Sequence, residues 1–161
     1  MRARPAGSPV RPRTLVGKWL TAALLEQHEL RDQLVAQFPR GPLTDDNQAL
    51  ITTICELAVR AYFGTGYDAH AVPEFAAGVH DRQDGNFSAG PAEVAAVVRA
   101  ALGETDAGLS EIPPAKAITA RILAVTHAFQ LLEWDEPAVN DHVAEAEAIV
   151  FRQGWQPQLA T

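Results

Sequence analysis

An all-α fold is predicted by three features of the sequence. Apolar residues recur at three- and four-residue spacing along most of its length, alanine is abundant where β-branched residues are sparse, and the longest apolar run, residues 114–134, has a clear helical period. With 161 residues and a single cysteine, the chain suits one domain that needs no disulfide framework. The expected architecture is a single-domain bundle of about five main helices around the hydrophobic helix at 114–134, with an irregular loop and short-helix segment at 64–90. A flexible basic arm is expected at 1–13, the helical domain at 14–154 and a tail at 155–161.

The first helix is expected over 14–38, where Val16, Trp19, Leu20, Ala23, Leu24, Leu30, Leu34, Val35 and Phe38 share a face. Pro39, Gly41 and Pro42 then force a turn. Thr44 followed by Asp45 and Asp46 marks the next start, a capping hydroxyl with two acids against the positive end of the helix dipole. That helix runs to Phe63, with Leu50, Ile54, Leu57 and Ala61 as its buried stripe, widened by Ile51, Ala58 and Tyr62. Glu56 and Arg60 form an outward pair, and Gly64 ends the helix.

From 64 to 90 the period fails. One short helix begun by Pro73 is expected there, together with a tight turn at Asp84-Gly85-Asn86. Tyr62, Phe63, Tyr67, Phe75 and Phe87 account for five of the eight Phe and Tyr residues, so the segment should pack on the body. A helix over 91–102 follows, starting at Pro91 and stopped by Gly103. In the helix at 114–134, Ile118, Ile122, Val125, Phe129 and Leu132 form one side, with Ala117, Ala120, Ala124, Ala128 and Leu131 beside them. The last helix is capped by Asp135, carries Pro137 in its first turn, turns Val139, Val143, Ala146, Ile149 and Val150 inward and ends near Gln153.

Net charge is −7, but the first eighteen residues hold five basic residues and no acid, which leaves 8 basic against 20 acidic residues, a balance of −12, for the rest. Phosphate-dominated binding needs clustered cations, so nucleic acid is not an expected partner except through the basic arm. No apolar run of membrane-spanning length and no signal-type apolar core are present, which predicts a cytoplasmic protein without membrane contact.

Candidate chemistry is sparse. The five histidines show none of the spacings of zinc or di-iron sites, and no dinucleotide fingerprint, nucleophile elbow or P-loop lysine occurs, so neither metal nor cofactor is expected. Cys55, at the edge of a buried face, reads as a small hydrophobe, and His142 as a core histidine. His127 and His28 carry no special signal. His70, Glu74, His80, Asp81 and Asp84 form the one cluster of acid–base types, and turn-capping polar groups are the simpler account of it. Arg121 stands out inside the apolar arc of 114–134. An unpaired buried charge costs several kcal/mol, so three arrangements are open: an ion pair with Glu56 or Glu74, a stem lying along apolar surface with its head in water, or a pocket that binds an anion.

These observations favour a non-enzymatic cytosolic interaction or regulatory protein that uses its acidic helical surface to bind a protein partner or a second copy of itself. The alternative is a small-molecule- or metal-binding protein or enzyme, with its site between 64–90 and the helix at 114–134. That site would draw on Arg121, His70, Glu74, His80 and Tyr67, with a small anionic ligand a candidate for Arg121.

Overall fold

The computed structural model describes residues 10–81, 88–104 and 108–161. Among them are seven α-helices and no strand: α1 Leu15–Leu24, α2 His28–Val35, α3 Asp45–Phe63, α4 Ala71–Asp81, α5 Pro91–Ala101, α6 Pro114–Leu132 and α7 Glu136–Arg152, with one 3-10 turn at Leu109–Glu111. The predicted turn at Asp84-Gly85-Asn86 and Phe87 lie outside the described residues.

The core is built on a pair of helices. α3 holds the centre, touching α1, α5, α6 and α7, and its most extensive packing is with α6. Ala117, Ala120, Ala124 and Ala128 of α6 are all buried, and their small side chains allow the close approach that bulkier residues would block. Leu50, Ile51, Ile54, Cys55, Ala58 and Val59 of α3 meet them in a continuous apolar core. Towards its last turn α3 loses cover, so Ala61 and Tyr62, expected inside, are exposed. Arg60 does not pair with Glu56. Its Nε donates to the Ala101 carbonyl at 2.9 Å, satisfying an open carbonyl at the end of α5.

Helix starts follow local chemistry. Thr44 and Asp135 accept from the backbone N–H three residues on, at Asn47 and Ala138, and Pro91 and Pro114 occupy first-turn positions where a missing N–H costs nothing. α4 starts two residues before Pro73, which takes its third position.

The single helix expected over 14–38 is two helices. Glu26 adopts φ 57°, in the left-handed region, while Gln27 N–H donates to Ala22 O at 2.8 Å and Glu26 N–H to Ala23 O at 3.3 Å. That bond pair is the Schellman arrangement, normally built on glycine. After the break the apolar stripe loses its phase, and Leu30 and Val35, expected in the core, are exposed on α2. The same device ends α6: Glu133 has φ 54°, Trp134 N–H donates to Phe129 O at 3.3 Å, and the two rings lie 4.8 Å apart.

The first and last elements are clasped together. Glu147, only 3% exposed on α7, accepts from the Arg13 and Thr14 backbone N–H groups and from the Thr14 hydroxyl. Thr14 in turn caps α1 by accepting from Gly17 N–H. A Cβ on Gly17 would lie 2.5 Å from Glu147 Oε2, so glycine is what lets α1 sit on this carboxylate. Leu15 N–H donates to Gln158 O and Ala160 N–H to Arg13 O, laying residues 158–160 beside the start of α1. Pro12 is buried and the Arg13 guanidinium lies 5.1 Å from the Phe151 ring centroid. Trp155 is exposed.

Candidate functional site

α4 crosses α6 and closes a cleft between them. Ala71, Glu74, Phe75, Gly78 and Asp81 recur at helical spacing on one face of α4, and with Tyr62 of α3 and His127 and Leu131 of α6 they line an open space of about 390 Å³. Phe75 is buried at its floor, while Tyr62 and Leu131 are exposed at its sides. The ring of Tyr62 lies 5.5 Å from Phe75, and Phe63 lies 5.3 Å from Phe75 and 5.8 Å from Tyr67. Four aromatic rings thus join α3 to the irregular connection, as the aromatic content of 64–90 leads one to expect.

His127 gives the cleft its buried end. It is 6% exposed, its ring stands edge-on to Phe75 at 4.8 Å, and a Cβ on Gly78 would fall 2.8 Å from its Nε2. Glycine at 78 is therefore what allows α4 to lie across this imidazole. The two carboxylates, Glu74 and Asp81, are exposed on the rim, and among the described residues no lysine or arginine lines the space.

Of the acid–base cluster singled out from sequence, Glu74 and Asp81 line the cleft. Tyr67 is half-buried behind it against Phe63. His70 is exposed in the turn before α4, where its N–H donates to Asp68 Oδ1 at 2.8 Å. His80 is exposed on a different side of α4. Arg121 is half-buried on α6 and, among the described residues, forms no ion pair; the one present joins Arg31 and Asp32. Its charge acts instead on Cys55, whose thiol burial pushes up to about 12, an effect that Arg121 partly offsets. Neither Glu56 nor Glu74 pairs with it, and a half-buried arginine without an ion pair fits the stem-covering arrangement. Among the described residues no three of His, Cys, Asp and Glu come together as a metal site.

Two histidines behave differently from one another. His142 is a core residue, 8% exposed, packed between Phe129 and Trp134 with Nε2 3.4 Å from Ile54 O. Burial lowers its pKa to about 4, with the Ile54 carbonyl opposing the shift. His127, which carries no special signal in the sequence, is the one that reaches the cleft. Its period on α6 gave no sign of this, because the cover comes from α4 in a stretch without period.

Fold and cleft together define an all-α single domain carrying an acid-rimmed aromatic cleft. Comparison with protein families, characterised proteins and solved structures yields no match. None of the described helices is long and apolar enough to cross a membrane.

Proposed function

We propose that the protein is a non-enzymatic interaction protein and that the α4–α6 cleft receives a lysine or arginine side chain of a basic protein partner. The observation that carries this reading is the pairing of exposed apolar walls, Tyr62 and Leu131, with two rim carboxylates, Glu74 and Asp81, and no cation among the described lining residues. An aliphatic stem would lie against Leu131 and Tyr62 while its charged head meets the carboxylates, and a cation over an aromatic face gains about 0.5–2 kcal/mol. The excess of acids in the body would steer such a partner during approach.

A second reading shares the same cleft: a small organic amine, bound without a protein attached. Fluorescence anisotropy with a labelled lysine- and arginine-rich peptide, in 20 mM and 150 mM salt, separates them. The expected result is saturable binding that weakens with salt and drops about fivefold in the Glu74→Gln/Asp81→Gln double variant, as rim charges contribute about 1 kcal/mol together. Equal binding by parent and double variant, or no binding at the lower salt, would overturn the proposal. Displacement of the peptide by free arginine amide at equal concentration would favour the small-amine reading.

A further inference from the structure

The chain carries a candidate occupant for its own α4–α6 cleft. Residues 1–9 hold Arg2 and Arg4 and no acid, and the cleft has Glu74 and Asp81 on its rim with no cation among the described lining residues. The spacings agree. Glu74 and Asp81 are seven residues apart along α4, which is about 10 Å. In an extended segment Arg2 and Arg4 would fall on one side with their Cα atoms about 7 Å apart, a difference that two long arginine side chains span. Extended backbone suits Arg4 because Pro5 follows it.

The arm is also held at its base. Pro12 is buried, and Glu147 accepts from the Arg13 and Thr14 N–H groups. Arg11, next to that clasp, lines a groove between α1, α2 and α7 that reaches Glu136, and Glu136 follows Leu131 of the cleft wall by five residues. Arg4 precedes Arg11 by seven residues, a reach of about 23–25 Å when extended. A segment tethered so closely is present at its own cleft at about millimolar effective concentration. A contact made from exposed charges and one aromatic face is weak, with a dissociation constant of about 1 mM. It would be about half occupied within one chain, yet only about one per cent occupied between chains at about 10 µM protein.

On the reading of the cleft as the partner site, we propose that residues 1–9 occupy the cleft of their own chain, with Arg2 and Arg4 meeting Glu74 and Asp81, and that a basic partner binds by displacing them. The arm thereby raises the partner concentration that binding requires, and neutralising its two arginines opens the cleft.

The test is Arg2→Gln/Arg4→Gln in the full chain, read by amide chemical shifts at the cleft and by anisotropy of the labelled lysine- and arginine-rich peptide in low salt. Relative to the parent, the Gly78, Asp81 and Leu131 amides are expected to shift by an amount that is independent of protein concentration and disappears in high salt. The variant should bind the peptide about threefold more tightly, as loss of a competitor at about twice its dissociation constant predicts. In the Glu74→Gln/Asp81→Gln background the same arm substitution should change neither measurement. Identical cleft amides in parent and variant, or unchanged peptide affinity, would overturn arm docking and leave the partner reading of the cleft standing. An equal gain in the Glu74→Gln/Asp81→Gln background would also overturn it, since the arm charge would then act at long range. Amide differences that grow with protein concentration would place the arm in a neighbouring copy and overturn docking within the chain. Cleft amides that respond to the arm while the peptide binds neither chain would support the docking and overturn the partner reading alone.

Discussion

Replacing Glu147 with alanine should be the most damaging single polar substitution in this protein. The carboxylate holds the Thr14 N–H at 2.7 Å and the Arg13 N–H at 3.0 and 3.1 Å on its two oxygens, and it also takes the Thr14 hydroxyl. Thr14 is 0% exposed, so water cannot replace the lost acceptor there. A buried donor left unpaired costs about 1–3 kcal/mol; the partly buried Arg13 amide costs less, and the side-chain methylenes leave a small cavity. The sum is about 3–4 kcal/mol, which for a chain of this size lowers the melting temperature by about 10 °C. Glu147→Gln, which keeps one acceptor oxygen and loses the other, should cost about half as much. Thermal and urea unfolding followed by circular dichroism measure both, with Glu145→Gln on the exposed side of α7 as the neutral control. Gly17→Ala supplies an independent check. Alanine gains about 1 kcal/mol of helix propensity over glycine, yet its Cβ would stand 2.5 Å from Glu147 Oε2 and 2.7 Å from Thr14 Oγ1, so the net effect should be a loss. A Glu147→Ala protein melting within about 2 °C of the parent, or a stabilised Gly17→Ala, would refute the clasp.

His142 makes stability depend on pH. Its folded pKa of about 4 lies below the ordinary 6.5, so between these values the unfolded chain holds a proton that the folded chain does not, and stability is lost as pH falls through that window. From pH 7 to pH 5 the loss from this group is about 2 kcal/mol; urea unfolding should show it in the parent and not in His142→Phe, and identical pH profiles would contradict the assignment. Ala124, fully buried where α6 meets the core, should not tolerate leucine: Ala124→Leu is expected to lose about 1–3 kcal/mol by overpacking, and an unchanged urea midpoint would mean the alanine face is open. Glu133→Gly should gain about 1 kcal/mol, since a left-handed conformation strains any residue with a Cβ; a lower melting temperature would show that the glutamate side chain contributes more than its backbone costs.

What the sequence reveals is set by how local the determinant is. Thr44, Gly64, Pro91, Pro114 and Asp135 act within one turn of themselves, and the elements they bound fall where their chemistry places them. Glu26 carries no such mark, because a glutamate in the left-handed region is disfavoured and the bonds that hold it there are backbone bonds. The break it causes displaces Leu30 and Val35 from the core. Glu147 lies at the polar border of the apolar arc of α7, beside Glu136 and Asn140, so the test that exposes Arg121 in α6 does not single it out. Its partner is 133 residues away and consists mainly of backbone amides, which no side-chain pattern records. The cleft was visible in part. The aromatic concentration in 64–90 correctly indicated packing on the body, and Glu74 lines the cleft. His127 and Gly78 could not be paired without knowing that α4 lies across α6.

The same separation of Thr14 from Glu147 bears on how the chain reaches this structure during synthesis. At about 5–20 residues per second, the start of α1 waits on the order of ten seconds before the carboxylate that completes it has been made. Through that interval α1 can pack its apolar side on α3, but the open amides at its head remain dependent on water. Closing the bundle thus waits until α7 has been made, and a ribosome that pauses before α7 should hold a chain whose first helix is helical yet unanchored.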